Sequence, residues 1–297
     1  MSFREQIKEE IEKRRKLNPN SVKTYVSILF NLHKSLATDD DEKENLKWFN
    51  DEKVILEHLK ERSPKVRKTI LSALFILTGN DEYRKIMIND CKIVNDDYKQ
   101  QKKNPKQEEG WIDINDIMKI YEEHLNRFKD IFQKKTMGSY SEIMDYLLLG
   151  LLGGVSGLPP RRSLDYAQMK IKNYDTKKDN YYKAGKFYFN IYKTVDTYGT
   201  QVVDVKSLAP ELNANIMKWI KSDPTDYLLF STNKNPLTSP QITRMLNRIF
   251  GKRTSTDLLR HIYLTDKYKN VPALEEMEKR ASEMGHSLNT SMEYIKR

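Results

Sequence analysis

The sequence predicts a mainly α-helical protein of two domains, the second of which also holds a small antiparallel β-sheet. Three observations lead there. Apolar residues recur at i, i+3, i+4 and i+7 over most of the 297 residues, the pattern of amphipathic helices. That periodicity lapses over 98–110, where a polar, lysine-rich text reads as a linker. Between 169 and 205 it gives way to short aromatic segments punctuated by Gly185 and Gly199, as strands joined by turns require. The expected organisation is a helical domain over 1–97, a linker over 98–110 and an α-rich domain with the sheet over 111–297.

Taken in order, Phe3, Ile7 and Ile11 form one stripe of a first helix over 3–16. Asn18-Pro19-Asn20-Ser21 stops it and caps a second over 22–36, whose apolar face is Val22, Tyr25, Val26, Leu29 and Leu32. The acidic run 38–44 reads as a loop. A third helix is expected near 51–62, with Val54, Ile55 and Leu59 inward. Ser63-Pro64 supplies an N-cap and first-turn proline for a fourth over 65–78, which Gly79 ends. A fifth runs from Asp81 to about Asp97. Lys65, Arg67 and Lys68 crowd the first turn of the fourth helix. Free N–H groups there favour an anion rather than a cation, so these side chains are candidates for phosphate contact.

Beyond the linker, where Pro105 is expected to break any helix, helices are expected over 113–133 and 141–153. Gly157-Leu158-Pro159-Pro160 ends the second. A short helix over 162–168 precedes three strand-like segments, 169–174, 186–193 and 201–205, with Gly185 and Gly199 as hairpin turns. Helices over 210–221, 239–250, 256–268 and 273–283 complete the domain.

Composition narrows the partner. The formal charge is +10. Residues 1–100 hold 20 Lys/Arg against 18 Asp/Glu, leaving 52−20=32 against 42−18=24 for the rest, so the excess is +2 and then +8. A basic surface suits a polyanion. No run approaches the ~18 apolar residues of a spanning helix, and 1–16 is too charged for a signal peptide, so nucleic acid is expected rather than a membrane. Cys91 is the only cysteine, and the five histidines include no His-x-x-x-His pair. Neither an internal disulfide nor a thiolate metal cage is available. An intracellular protein without a structural metal is expected.

The chemistry is expected near the end of the chain. Met284-Gly285-His286-Ser287-Leu288-Asn289-Thr290-Ser291-Met292-Glu293-Tyr294 sets a histidine and a tyrosine eight residues apart. If Asn289-Thr290 opens a short helix, Tyr294 lies on its second turn, and the Gly285-His286 turn folds back so that both reach one phosphate. Companions stand upstream in a fixed order: Arg161-Arg162-Ser163-Leu164-Asp165, then Tyr192-Lys193-Thr194, then Leu258-Leu259-Arg260-His261-Ile262-Tyr263-Leu264-Thr265. Arginine, lysine, arginine, histidine and tyrosine in that sequence resemble the tyrosine recombinase (phage integrase) family. The resemblance is good over roughly 140–297 and loose before it.

It implies a helical core-binding domain and a catalytic domain that clamp double-stranded DNA. It also implies site-specific cleavage and rejoining through a transient 3′-phosphotyrosyl ester on Tyr294, without metal or cofactor. Two arginines suit the crowded phosphorane because guanidinium forks match its oxygens bidentately. Arg162 and Arg260 are assigned that role. Arg162 is preferred to Arg161 because Arg162-x-x-Asp165 fits the family register, with Asp165 bracing it and Arg161 touching neighbouring DNA backbone or simply solvated. Lys193 would protonate the leaving 5′-oxygen, though only its position separates it from Lys183 and Lys186. His286 would donate to the phosphate, and His261 would brace its helix. Where the family has His or Lys three residues before the second arginine, this chain has Asp257, which leaves the general base unassigned. The expected protein comes from a mobile or viral element, and acts in the cytoplasm or host nucleus. It is a monomer when free, since only Ile295, Lys296 and Arg297 follow the tyrosine, and a tetramer on paired sites. A type IB topoisomerase and a DNA-binding protein that has lost catalysis are the alternatives.

Overall fold

A computed structural model of the chain describes residues 2–37, 45–134, 140–285 and 287–294, the last group without the side chains of Thr290, Glu293 and Tyr294. Its contacts divide it into two compact units, Met1–Lys102 with Pro272–Arg297, and Lys103–Val271. The expected second domain of 111–297 therefore differs at both ends. The expected loop over 38–44 lies outside the described residues.

In the first unit, α1 (Phe3–Arg14), α2 (Pro19–Leu36), α3 (Glu52–Leu59), α4 (Pro64–Thr78) and α5 (Asp81–Lys99) enclose one core, with a 3₁₀ segment at Leu46–Asn50. The stripes read from the sequence are the ones buried: Phe3, Ile7 and Ile11 of α1, and Val22, Val26, Leu29 and Leu32 of α2. Local chemistry sets the boundaries. Ser2 and Glu5 close a capping box at α1, Asn18 caps α2 ahead of Pro19, and Gly79 ends α4 at φ 74°. Ser63 precedes Pro64 but makes no side-chain cap bond. The last segment, α15 (Leu274–Glu283) and α16 (Leu288–Tyr294), joins this unit through the Lys99–Glu278 ion pair at 3.3 Å. The Leu274 N–H also donates to Gln101 Oε1 at 3.0 Å.

The second unit begins inside the expected linker. Pro105 starts a helix there, α6 (Pro105–Gly110), instead of breaking one. At the first helical position proline gives up no hydrogen bond, and Asn104 with Gln107 forms a capping box. Next come α7 (Ile114–Lys134) and α8 (Tyr140–Leu152); every residue of α8 from Ile143 to Leu152 is buried, so α8 is the unit's central element. Around it stand α9 (Ser163–Ala167), β1 (Tyr181–Lys183), β2 (Lys186–Phe189), α10 (Val195–Tyr198), β3 (Gln201–Asp204), α11 (Val205–Leu208), α12 (Pro210–Ile220), α13 (Ser239–Phe250) and α14 (Thr256–Lys267). Gly154, at φ 74°, closes the turn after α8. A Cβ there would come within 2.8 Å of the Tyr263 ring, so the glycine lets α14 lie close.

The sheet is antiparallel in the order β1-β2-β3. Phe187, Phe189 and Tyr182 pack into the core on one face. On the other, Tyr174, Tyr181 and Tyr188 stack in parallel at 4.4 and 4.5 Å. Two expectations are corrected here. The segment 169–174 is not a strand: its backbone pairs as isolated bridges of Lys170, with Tyr181 of β1 and with Tyr227 outside the sheet. Asn173, at φ 49°, turns the chain away while its side chain donates to the Asp226 carboxylate. Strand β2 ends at Phe189 rather than Lys193, so Gly199 closes a longer connection that contains α10, while Gly185 (φ 82°) with Ala184 makes the tight hairpin. No helix among the described residues is long and apolar enough to cross a membrane.

Candidate active site

In the second unit the charges of three arginines bear on one buried carboxylate. Asp165 lies on α9 and is almost fully buried. Burial raises its pKa, and the charges of Arg161, Arg162 and Arg260 act in the opposite direction. One of its oxygens, Oδ1, is buried without a hydrogen-bond partner among the described residues. Arg162 and Arg260, 98 positions apart in the chain (260−162=98), thus bear on the same group.

The three guanidinium groups differ in what holds them. Arg161 is held on two sides: Nε donates to Asp165 Oδ2 at 2.8 Å and Nη1 to Gln201 Oε1 at 2.8 Å. It also lies 4.0 Å over the Phe189 ring and 5.3 Å over Tyr192. The brace expected between Asp165 and Arg162 is therefore made by Arg161, at i,i+4 spacing, and Arg161 is a built-in strut rather than a free contact for DNA. Arg162, the N-cap residue of α9, is half-buried and has no side-chain hydrogen bond or ion pair among the described residues. Arg260 of α14 meets Asp257 at 3.3 Å, and His261 Nε2 meets the other Asp257 oxygen at 3.6 Å. Asp257 is largely exposed on a groove of about 440 Å³ that Arg253, Thr254, Ser255 and His261 also line. Ser255 caps α14 by accepting from the Leu258 N–H, which puts Asp257 in the first turn, where the helix dipole favours a negative charge.

Lys193 is exposed in the turn between β2 and α10, and its place is set by the backbone around it. The Asn180 side chain, itself buried, donates to the Asp165 carbonyl at 3.0 Å and the Ile191 carbonyl at 2.8 Å. It accepts from the Asn190 and Ile191 N–H groups, each at 2.8 Å. Farther along, the Tyr192 hydroxyl donates to the Gly199 carbonyl at 2.6 Å. The turn is thereby tied to the helix that follows Arg162. Sequence reasoning missed Asn180 and Gln201 because their partners lie 10 to 40 positions away and leave no local pattern.

The remaining candidates belong to the first unit. His286 lies outside the described residues; Tyr294 is the last residue of α16, and its side chain also lies outside them. Lys65 is exposed and sits 5.7 Å from the Tyr98 ring centroid, and Lys68 is half-buried. Arg67 is different: it grips the fully buried Asp90 of α5 with Nε–Oδ2 at 2.8 Å and Nη2–Oδ1 at 2.6 Å. Its basic charge in the first turn of α4 has a packing reason that involves no phosphate.

Neither a family model nor a curated protein matches the chain. Among solved structures, it is similar to a crystal structure of XerA recombinase, with 14% identity over 91% of this chain and 84% of that one, at a TM-score of 0.37. It is also similar to two crystal structures of a lambda integrase dimer bound to a COC′ core site. Against one, identity is 13% over 91% of this chain and 70% of that one; against the other, 12% over 91% and 90%. The TM-score is 0.47 in both.

Proposed function

We propose that this protein is a tyrosine-type DNA strand transferase, cutting and rejoining double-stranded DNA at specific sites during recombination or integration. The Tyr294 phenol gives up its proton to solvent water as its oxygen attacks the scissile phosphorus, forming a 3′-phosphotyrosyl bond while the bond to the 5′-oxygen breaks. Arg162 and Arg260 stabilise the charge that develops on the non-bridging oxygens. His286 adds a hydrogen bond, and the leaving oxygen takes a proton from the Lys193 ammonium. Lys65 and Lys68 contact phosphates elsewhere on the duplex.

The observation that carries this reading is the arginine cluster. Arg162 and Arg260 both act on buried Asp165, and Arg162 makes no side-chain hydrogen bond or ion pair among the described residues, while Arg161 holds Asp165 Oδ2. A DNA-binding protein without catalysis is the second reading, favoured by the Arg260–Asp257 contact, which occupies one of the two guanidinium groups.

The test is incubation with a suicide duplex that traps the cleaved state. The chain should form a detergent-resistant DNA adduct, and Tyr294→Phe should abolish it while leaving DNA affinity intact. No adduct from the unaltered chain would favour the second reading, and an adduct that persists in Tyr294→Phe would remove Tyr294 as the nucleophile.

A further inference from the structure

We infer that Asn180 is a positioning residue that delivers Lys193 to the scissile phosphate by fastening its turn to the arginine-bearing helix; this rests on the reading of Lys193 as proton donor. A carboxamide offers two donors and two acceptor positions, and Asn180 uses all four: two carbonyls, of Asp165 and Ile191, and two N–H groups, of Asn190 and Ile191. One side chain thus spans α9, three residues after Arg162, and the exit of β2, two residues before Lys193. Lys193 is exposed and has no side-chain hydrogen bond or ion pair among the described residues, so the stem below it decides where its ammonium can reach.

A second asparagine backs the first. Asn190 Nδ2 donates to the carbonyls of Thr176 at 2.9 Å and Asp179 at 2.7 Å, and its Oδ1 accepts from the Thr200 hydroxyl at 3.0 Å. Both ends of the turn are thereby pinned, since Thr200 lies beyond it. Arg161 adds a third tie through Tyr192 and Gln201. A mobile surface turn would need none of these. Buried amides matched donor for acceptor fix one geometry, because any slip leaves polar groups without partners.

The prediction separates proton delivery from folding. A duplex with sulfur in place of the bridging 5′-oxygen expels a thiolate, which needs no proton from the enzyme because thiols are far more acidic than alcohols. Lys193→Ala should cut the oxygen duplex slowly and the sulfur duplex at nearly the unaltered rate. Asn180→Ala should behave in the same way: about 100-fold slower on oxygen, the scale of a misplaced catalytic group, with DNA affinity unchanged and the loss largely restored by sulfur. Asn190→Ala, which loosens the turn from its half-buried outer side, should show the same signature more weakly and keeps the test decisive if Asn180→Ala folds poorly. The inference is overturned if sulfur rescues Lys193→Ala but neither asparagine variant. Failure of sulfur to rescue Lys193→Ala would remove the proton-donor reading itself, and the inference with it.

Discussion

Arg67→Met should destabilise the first unit far more than it weakens DNA binding. Asp90 is fully buried and both its oxygens are held by Arg67 in a two-pronged pair, while the Arg67 side chain is only 22% exposed. The raised pKa of Arg67 has the Asp90 hydrogen bond as its largest cause. Removing the arginine leaves a buried carboxylate without a counterion, which costs about 3–5 kcal/mol. That is a large share of the ~5–15 kcal/mol that holds a typical domain. The assay is amide hydrogen exchange of α4 and α5, because a chain of two units need not unfold in one step. Each ~1.4 kcal/mol is tenfold in an opening equilibrium, so the slowest amides there should exchange roughly a hundred to a few thousand times faster. Adding Asp90→Leu should restore most of the protection, since an apolar pair of similar volume leaves nothing unpaired. The reasoning is refuted if Arg67→Met leaves exchange unchanged while DNA affinity falls, for the side chain would then be the phosphate contact that its place in the sequence suggests.

Asp223, whose Oδ2 is buried without a partner among the described residues, has its pKa pushed up to about 6 by burial. A folded value above the unfolded one of ~3.9 gives stability that is present below about pH 4 and lost as pH rises through 6, an effect of up to ~3 kcal/mol. Asp223→Asn should therefore flatten the fall in second-unit stability between pH 4 and 7; parallel profiles for the two proteins would contradict this. Asp257→Asn should lower the melting temperature slightly, because an exposed pair is worth ~0.2–1 kcal/mol and first-turn placement ~0.3–1 kcal/mol, and should leave cleavage per folded molecule within a few-fold. Loss of cleavage with melting temperature and DNA binding unchanged would instead make Asp257 part of proton transfer.

The helices were legible because their determinants are local. The helix expected over 239–250 is α13 with the same bounds, set by the Thr238–Gln241 capping box and by Gly251 at φ 62°. Pro105 was misread because proline opposes a helix interior but suits its first turn, and only Asn104 with Gln107 distinguishes the two. The strands were harder. Strand β1 has three residues, and its pairing of Tyr181 with Tyr188 and Lys183 with Lys186 exists only through a partner strand. At the site, the Arg161-x-x-x-Asp165 spacing allowed the observed pair, yet the register of Arg162-x-x-Asp165 drew attention to the wrong neighbour. The Arg67–Asp90 pair spans 23 positions and had no local signal at all.

On the proposed function, the charges around Asp165 also decide how Asp257 stands to an incoming phosphate. Arg161 and Asp165 neutralise one another in a closely held pair, so they add little net charge. Arg162 makes no ion pair among the described residues. Arg260 pairs with Asp257, which is 73% exposed and 3.3 Å away, a contact worth ~0.2–1 kcal/mol. A phosphodiester offers both arginines charge-assisted hydrogen bonds worth ~1.5–3 kcal/mol each, and a phosphorane carries more charge still. The comparison favours the phosphate at Arg260. Asp257, freed into the groove beside α14, keeps its place in the first helical turn and its contact with His261. The same carboxylate can therefore hold Arg260 ready without competing for it once DNA is bound.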